Sequence, residues 1–226
     1  KDQFVLYEEI SGEYALGDKY IASCEMAMKL KDDRNRYEIQ PVTRLNTSYS
    51  DIIAINTRDE IVFATRGKRA EIGTLRPKTD KSESSDYDFY EARKHGDGTI
   101  ADIKSVKGGI NSPYDDVGAV KMPGSDLVLF TRGTDQGPSK KKTVGNNEPT
   151  REVKILGAKK MGRKMEQVGD LPINFSDGNS NFHPAVHPSG DMIVFASDRL
   201  GGQGGTDLYM VRRVEGKWSK PENLGP

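Results

Sequence analysis

Residues 193–197 read Ile-Val-Phe-Ala-Ser, and two close copies occur earlier, Ile-Val-Phe-Ala-Thr at 61–65 and Leu-Val-Leu-Phe-Thr at 127–131. The central residues of the three runs share a spacing of 66 residues: Phe63, Leu129 and Phe195. Short apolar runs rich in β-branched residues are typical of strands that are buried on both faces. The repeat therefore predicts three structural units, each built around one central strand.

Each unit contains further runs with the alternating pattern of a strand. A polar element with an aromatic residue precedes the central strand, and a third and a fourth run follow it. Four antiparallel strands repeated at one period are typical of the blades of a β-propeller. The chain is therefore predicted to be mainly β, with four-stranded antiparallel blades at about 45–106, 107–169 and 171–226. The structural repeat positions of these blades are Tyr49, Phe63, Tyr114, Leu129, Phe182, Phe195, Tyr209 and Trp218.

The first strand of each unit carries a small residue, as expected near the axis of a propeller, where blades converge. These small residues are Ala54, Ala119 and Ala185. Three blades do not close a ring, because propellers have at least about four blades, and a ring of roughly six or seven is predicted. Residues 37–45 have no blade ahead of them and are predicted to close the last blade as an outer strand.

Residues 1–34 have the composition of helices rather than strands. The stretch has no Pro and few β-branched residues, and Gly12 or Gly17 would divide it into two helices. We expect a short helical hairpin in which Cys24 is a small buried residue. Residues 16–30 resemble the second half of a tetratricopeptide unit, with small residues where paired helices touch. The alternative is a helix that packs on whatever follows it.

The charges of the chain balance, with 34 basic and 34 acidic residues. Nucleic acid is not an expected partner, because binding it usually requires a basic field. No run approaches the roughly 18 apolar residues of a membrane-spanning helix, so direct insertion into a membrane is not expected. The single cysteine excludes an intrachain disulfide and a cysteine-based zinc site.

Asp198, Arg199 and Asp207 form the most prominent polar group, at the two ends of the link between the second and third strands of the last unit. An arginine between two carboxylates can hold a loop by bidentate hydrogen bonds, and this structural role is favoured over ligand recognition. The four glycines between 201 and 205 are predicted to permit positive φ in a wide hairpin. A phosphate-binding loop is not favoured, because it needs a helix after it and residues 207–211 read as a strand.

Three other patterns approach a metal or catalytic site and lack a required feature. In a strand, His183 and His187 would lie roughly 13 Å apart, too far for one metal ion. Residues 177–181 match alternate ligand positions of a calcium loop, but Phe182 stands where that loop needs Gly. Residues 178–182 begin like a nucleophile elbow and lack its closing Gly. The chain is therefore predicted to have no catalytic residue, no metal and no cofactor.

The third unit carries a resemblance over nearly its whole length. The segments are His183–Asp191 (HPAVHPSGD), Phe195–Arg199 (FASDR), Gly201–Tyr209 (GGQGGTDLY) and Gly216–Gly225 (GKWSKPENLG). They resemble the WD40-like Pro-Asp propeller repeat of TolB-type proteins. More closely, they resemble its version in the tetratricopeptide–propeller–OmpA-like envelope proteins of Bacteroidetes. Residues 187–190 read His-Pro-Ser-Gly where that family has Ser-Pro-Asp-Gly, a departure expected to alter only the turn.

The resemblance implies a periplasmic protein associated with the outer membrane. Some members of that family belong to the type IX secretion and gliding machinery, where they act as non-catalytic scaffolds that bind other envelope proteins. Any contact with peptidoglycan would come through an OmpA-like domain, which is not present in this chain. The alternative is the propeller of a serine hydrolase of the prolyl oligopeptidase type, whose catalytic domain is absent from these residues.

Overall fold

The computed structural model describes residues 2–12, 14–32, 40–67, 86–134, 152–169, 171 and 179–225. The chain divides into two compact units, Lys1–Pro41 and Val42–Pro226. The first unit is helical and the second is built from antiparallel sheets. The predicted mainly β class and the N-terminal helices are confirmed at this level.

The helical unit consists of α1 (Asp2–Ser11) and α2 (Tyr14–Asp32). Gly12 ends α1 with a φ of 73°, a left-handed conformation that glycine adopts without strain. The two helices contact each other through Phe4 and Tyr20, whose rings stack with centroids 4.9 Å apart. Cys24 lies in α2 as predicted, but its side chain is only partly buried, so the prediction of a buried cysteine is wrong.

In the described residues, the strand-rich unit contains three antiparallel sheets, each formed by strands that follow one another in the sequence. The first sheet has the order β1-β2-β3-β4: Asp51–Asn56, Glu60–Thr65, Asp88–Lys94 and Ile100–Ser105. The second has the order β5-β6-β7-β8: Asp116–Lys121, Leu127–Thr134, Glu152–Met161 and Lys164–Val168. The third has five strands, β9 to β13: Asn181–Val186, Met192–Ser197, Asp207–Val214, Lys217–Trp218 and Glu222–Asn223. In the third sheet, β11 pairs with β12 and, nearer its start, with β13.

The strand register identifies which residues are equivalent in the three sheets. The first residue of the first strand pairs with Thr65 in the first sheet, with Arg132 in the second and with Ser197 in the third. The residues two positions before these three partners are Phe63, Phe130 and Phe195, which are therefore the equivalent central residues. The even spacing through Leu129 is therefore one residue out of register, because the central strand of the second unit is offset by one position.

Equivalent faces of the sheets point in the same direction along the stack. Phe130 and its strand partner Leu156 pack with Ala64 and Phe89 of the first sheet, and the Phe89 and Phe130 rings meet edge to face at 6.0 Å. Leu129, on the opposite face of the second sheet, packs with the third sheet. The second sheet thus lies between the other two, and alternation along β6 fills two separate apolar layers.

The first strands β1, β5 and β9 each contain a bulge at the same depth in the sheet. The bulges place Ala54, Ala119 and Pro184 at equivalent positions, and β5 contacts both β1 and β9. The prediction that Ala185 is the equivalent small residue is therefore wrong by one position. Ala185 is exposed, whereas Pro184 is buried. Proline is tolerated at a bulge because the lost backbone donor has no partner there.

Two further sequence expectations differ from the structure. Tyr49 and Tyr114 precede β1 and β5, whereas Phe182 lies inside β9 opposite Ala196, so the three aromatics are not equivalent. Of the predicted closing strand, residues 40–45 are described, and they form a turn in which the Leu45 N–H donates to the Val42 carbonyl at 2.9 Å. Residues 37–39 lie outside the described part of the chain.

Candidate functional site

The predicted polar group of the third sheet is assembled around Arg199. Its Nη2 donates to Asn181 Oδ1 at 2.6 Å, and its Nε donates to Ser197 Oγ at 3.0 Å. The guanidinium carbon lies 5.5 Å from the centroid of the Phe195 ring and 5.1 Å from that of Tyr209. Arg199 therefore ties the start of β9 to the end of β10 while covering the aromatic pair below it.

The two carboxylates of the predicted group have partners of their own. Asp198 Oδ1 accepts a hydrogen bond from the Ser180 N–H at 2.8 Å, and Asp207 Oδ2 accepts one from the Gly204 N–H at 3.0 Å. No ion pair within the described residues joins Arg199 to either carboxylate. The three residues do lie at one end of the third sheet, but the predicted bidentate clamp of Arg199 between Asp198 and Asp207 is wrong.

The glycines of this link serve two different purposes. Gly201 has a φ of 96°, which fits the predicted need for left-handed backbone. Gly202 does not have positive φ; a Cβ there would overlap the Asp207 carboxylate and lie 2.9 Å from Tyr209 Oη, so another residue would have to displace that carboxylate. The Tyr209 hydroxyl in turn donates to the Arg199 carbonyl at 3.3 Å, which closes the loop over the aromatic pair.

The second sheet contains an equivalent polar group that the sequence did not reveal. Arg132 Nε donates to Asp116 Oδ1 at 2.6 Å, and Nη1 donates to Gln167 Oε1 at 3.0 Å. Nη2 donates to the carbonyls of Gly109 and Ile110 at 2.9 and 3.0 Å. The Arg132 guanidinium lies 5.1 Å from the Phe130 ring centroid, as that of Arg199 lies over the equivalent Phe195.

Asp116 is wholly buried and accepts three hydrogen bonds, one from Arg132 and two from Ser112. Ser112 donates its N–H and its hydroxyl to Asp116 Oδ2, both at 2.8 Å. Burial raises the pKa of Asp116 to about 6, although Arg132 and Ser112 pull it down. The pair thus holds the start of β5 to the end of β6, with Asp116 wholly buried and the Arg132 side chain 10% exposed.

The first sheet satisfies the equivalent carboxylate without an arginine. Asp51 Oδ2 accepts from the Thr47 N–H at 2.7 Å, and Asp51 Oδ1 accepts from the Thr47 hydroxyl at 3.0 Å. Thr65 occupies the register position of Arg132, and its hydroxyl lies 3.4 Å from that of Thr47. A hydroxyl residue four positions before an acidic residue, at 47 and 51 and again at 112 and 116, was the signal available in the sequence.

Hydrogen bonds from side chains also join neighbouring sheets. Asn111 Oδ1 accepts a hydrogen bond from the Phe89 N–H at 2.7 Å, and Asn111 Nδ2 donates to the Phe89 carbonyl at 3.0 Å. The Asn111 side chain therefore extends the first sheet toward the second. Between the second and third sheets, the Val153 N–H donates to Ser180 Oγ at 3.3 Å, and the His183 N–H donates to Thr131 Oγ1 at 2.9 Å. His183 therefore contributes its backbone to the fold at the β9 bulge, where its φ is 53°.

The second histidine of the sequence pattern belongs to a turn. His187 Nδ1 lies 2.6 Å from Ser189 Oγ, and the same hydroxyl donates to Asp191 Oδ1. In a hydrolytic triad the histidine stands between serine and aspartate, whereas here the serine stands between the other two. Within the described residues, no group of three His, Cys, Asp or Glu side chains is arranged to hold a metal ion. Residues 177 and 178 of the calcium and elbow patterns lie outside that part of the chain.

Comparison with known proteins gives no relative: no family model, no curated protein and no solved structure matches this chain. The resemblance to the Pro-Asp propeller repeat therefore rests on the residues of the third unit and stays a prediction. Neither of the two described helices is long and apolar enough to cross a membrane.

The buried ion pair of the second sheet should be far more sensitive to substitution than an exposed one. Arg132→Met leaves the Asp116 carboxylate buried without a cation, and we expect a loss of about 3–5 kcal/mol in the free energy of unfolding. Adding Asp116→Asn should recover part of that loss, because a neutral amide no longer needs a counter-charge. Arg93→Met, which breaks the exposed pair with Asp102, is the control and should cost less than about 1 kcal/mol. Urea unfolding gives the free energy of unfolding of the wild type and the three variants. Equal losses for Arg132→Met and Arg93→Met would contradict the assignment of Arg132 and Asp116 as a buried ion pair.

The raised pKa of Asp116 predicts a specific pH dependence. The folded state holds the proton of Asp116 up to about pH 6, whereas the unfolded state releases it near pH 3.8. The folded state thus binds the proton more tightly, so this contribution to stability is present at low pH and is lost as the pH rises toward about 6. Urea unfolding between about pH 4 and 7 should show the wild type losing stability relative to Asp116→Asn. A gain relative to that variant would mean that Arg132 keeps Asp116 ionised.

Proposed function

We propose that the three sheets are consecutive blades of a β-propeller, and that this propeller is a non-catalytic scaffold that binds other proteins. The observation that carries the proposal is the repeated stacking of the sheets. Each sheet presents the face of Phe63, Phe130 or Phe195 toward the same end of the stack. Units that repeat one contact with one rotation are the basis of a propeller ring.

The first strands support a radial arrangement of the sheets. β5 contacts both β1 and β9, while the later strands of each sheet extend away from that contact. Bulges at the same depth of β1, β5 and β9 increase local twist, which suits strands that converge near an axis. A ring of roughly six or seven such blades is the proposed complete form.

The outer face of the third sheet supports the presence of a further neighbour. Leu208 is the register equivalent of Phe89 in the first sheet and Ile155 in the second. Phe89 and Ile155 are completely buried against the next sheet, whereas Leu208 is 56% exposed. Packing of a fourth sheet on this face would bury Leu208 as its two equivalents are buried.

A scaffold role agrees with the way the polar residues are used. Arg132, Arg199 and their partners hold strand ends together, and the His187 turn does not have the order of a hydrolytic triad. The resemblance of residues 183–225 to envelope proteins of the TolB-like type supports a periplasmic location associated with the outer membrane. Envelope proteins, including those of a type IX secretion assembly, are the proposed partners.

Cysteine labelling at Leu208 tests the propeller. In a Cys24→Ala background, Leu208→Cys should react quickly with a maleimide in this chain, because the site is exposed. In the natural protein at its full encoded length, the same cysteine should be protected at least tenfold by the neighbouring blade. Leu200→Cys, at a position that is 79% exposed, is the control and should react in both. Equal reactivity of Leu208→Cys in both proteins would contradict a fourth blade.

Photocrosslinking in cells tests the scaffold role. A benzoylphenylalanine introduced at the exposed Leu200 should form a discrete adduct with a second protein in the envelope fraction. The same probe at Gly96, in the turn between β3 and β4, is a control for nonspecific contacts. Labelling of the full-length protein by a fluorophosphonate would instead favour the hydrolase alternative. Absence of any adduct from Leu200 would contradict the scaffold role.

A further inference from the structure

A cleft with a volume of about 780 Å³ opens between the first and second sheets. The sheets are in contact at Phe89 and Phe130 and separate toward the turns that connect β1 to β2 and β5 to β6. Thr57 of the first turn, Glu60 at the start of β2 and Asp126 of the second turn lie at its opening. This volume is in the range of cavities that take drug-sized ligands or short peptide segments.

The floor of the cleft is apolar and continuous with the core. Ile55, Val62 and Met165 are partly buried and pack against the cluster that includes Val128 and Ala119. A ligand that placed apolar side chains on this floor would extend an existing apolar layer and remove its exposed part from water. Phosphate or a simple polysaccharide would make no use of such a floor.

The rim of the cleft is cationic, although the chain as a whole has no net charge. Three acidic residues line the cleft, against six basic ones. The basic residues are Lys104, Lys107, Lys121, Lys160, Arg163 and Lys164. Lys104 is paired with Glu91 at 3.1 Å. The other five have no carboxylate within ion-pair distance in the described residues. A ligand with carboxylates beside its apolar groups would supply those missing partners.

We propose that this cleft binds an extended peptide segment of a partner protein in which apolar and acidic side chains alternate. In an extended chain, successive side chains point to opposite faces, so the apolar side chains reach the floor while the carboxylates reach the rim. The inference rests on the proposed role in protein binding and names the chemistry of the bound segment.

Fluorescence anisotropy with three labelled peptides tests the site on the full chain. A peptide of alternating leucine and aspartate should bind, and raising the ionic strength from about 0.1 to about 1 M should weaken it. A leucine–lysine peptide should not bind, which excludes a purely apolar contact. A glycine–aspartate peptide should bind at least tenfold more weakly, which excludes a purely ionic one. Equal binding of either control peptide, or no binding of the leucine–aspartate peptide, would overturn the proposal.

Matched variants locate the binding to the cleft. The double change Lys121→Glu and Lys164→Glu should weaken binding of the leucine–aspartate peptide at least tenfold. Lys217→Glu with Lys220→Glu makes the same change of charge on the third sheet and should alter binding less than twofold. For the floor, Ile55→Gln and separately Met165→Gln should each weaken binding, with circular dichroism confirming that each variant is folded. Equal losses in the two charge variants would overturn the assignment.

The peptide titration and the crosslinking at Leu200 fail independently. Leu200 belongs to the third sheet, whereas the cleft lies between the first and second. A crosslinked adduct without peptide binding would overturn the cleft and leave the scaffold role supported. Peptide binding that is lost in the rim variant, without any adduct in cells, would support the cleft as a peptide-binding site and contradict the proposed scaffold in the envelope.

Discussion

The central strands of each sheet must bury both of their faces, and the order of the strand-rich unit depends on that constraint. Alternation along β6 sends Phe130 toward the first sheet and Leu129 toward the third, so one strand joins two apolar layers. Because the side-chain period of a strand is two, a shift of one residue would exchange these layers and expose both to mismatched neighbours. The register of each sheet is therefore coupled to the packing of the next.

The polar groups at the ends of these layers are partly or wholly buried, so they need partners within the protein. The three sheets meet this need at one equivalent position in different ways. Asp51 uses the hydroxyl and amide of Thr47, Asp116 uses Arg132, and Asn181 uses Arg199. The common requirement is a donor for the acceptor at the start of the first strand: an arginine near the end of the second strand in the second and third sheets, and Thr47, just before β1, in the first. The identity of the donor is free to vary because several side chains reach that position.

This use of polar residues bears on function. Arginines and carboxylates that hold strand ends are committed to the fold, so the proposed binding of a partner would use surfaces whose charged side chains have no ion-pair partner in the described residues. The cleft between the first two sheets is such a surface, since its apolar floor is an extension of the core and five of its cations have no ion-pair partner in the described residues. Its place follows from the stacking itself, because sheets that touch at Phe89 and Phe130 separate toward their turns.

The sequence by itself determined the number of described sheets, the position of most of their strands and the helical start, because hydrophobic periodicity and breaking residues act locally. It also pointed to Asp198, Arg199 and Asp207 as neighbours at one end of a sheet. Only the tertiary structure decided that Phe130 rather than Leu129 is the repeated position and that Arg199 bonds Asn181. Both depend on bulges and on an offset of one residue between units, which the spacing of similar residues does not record. Pairing across a sheet is a long-range choice, made by the packing of whole faces.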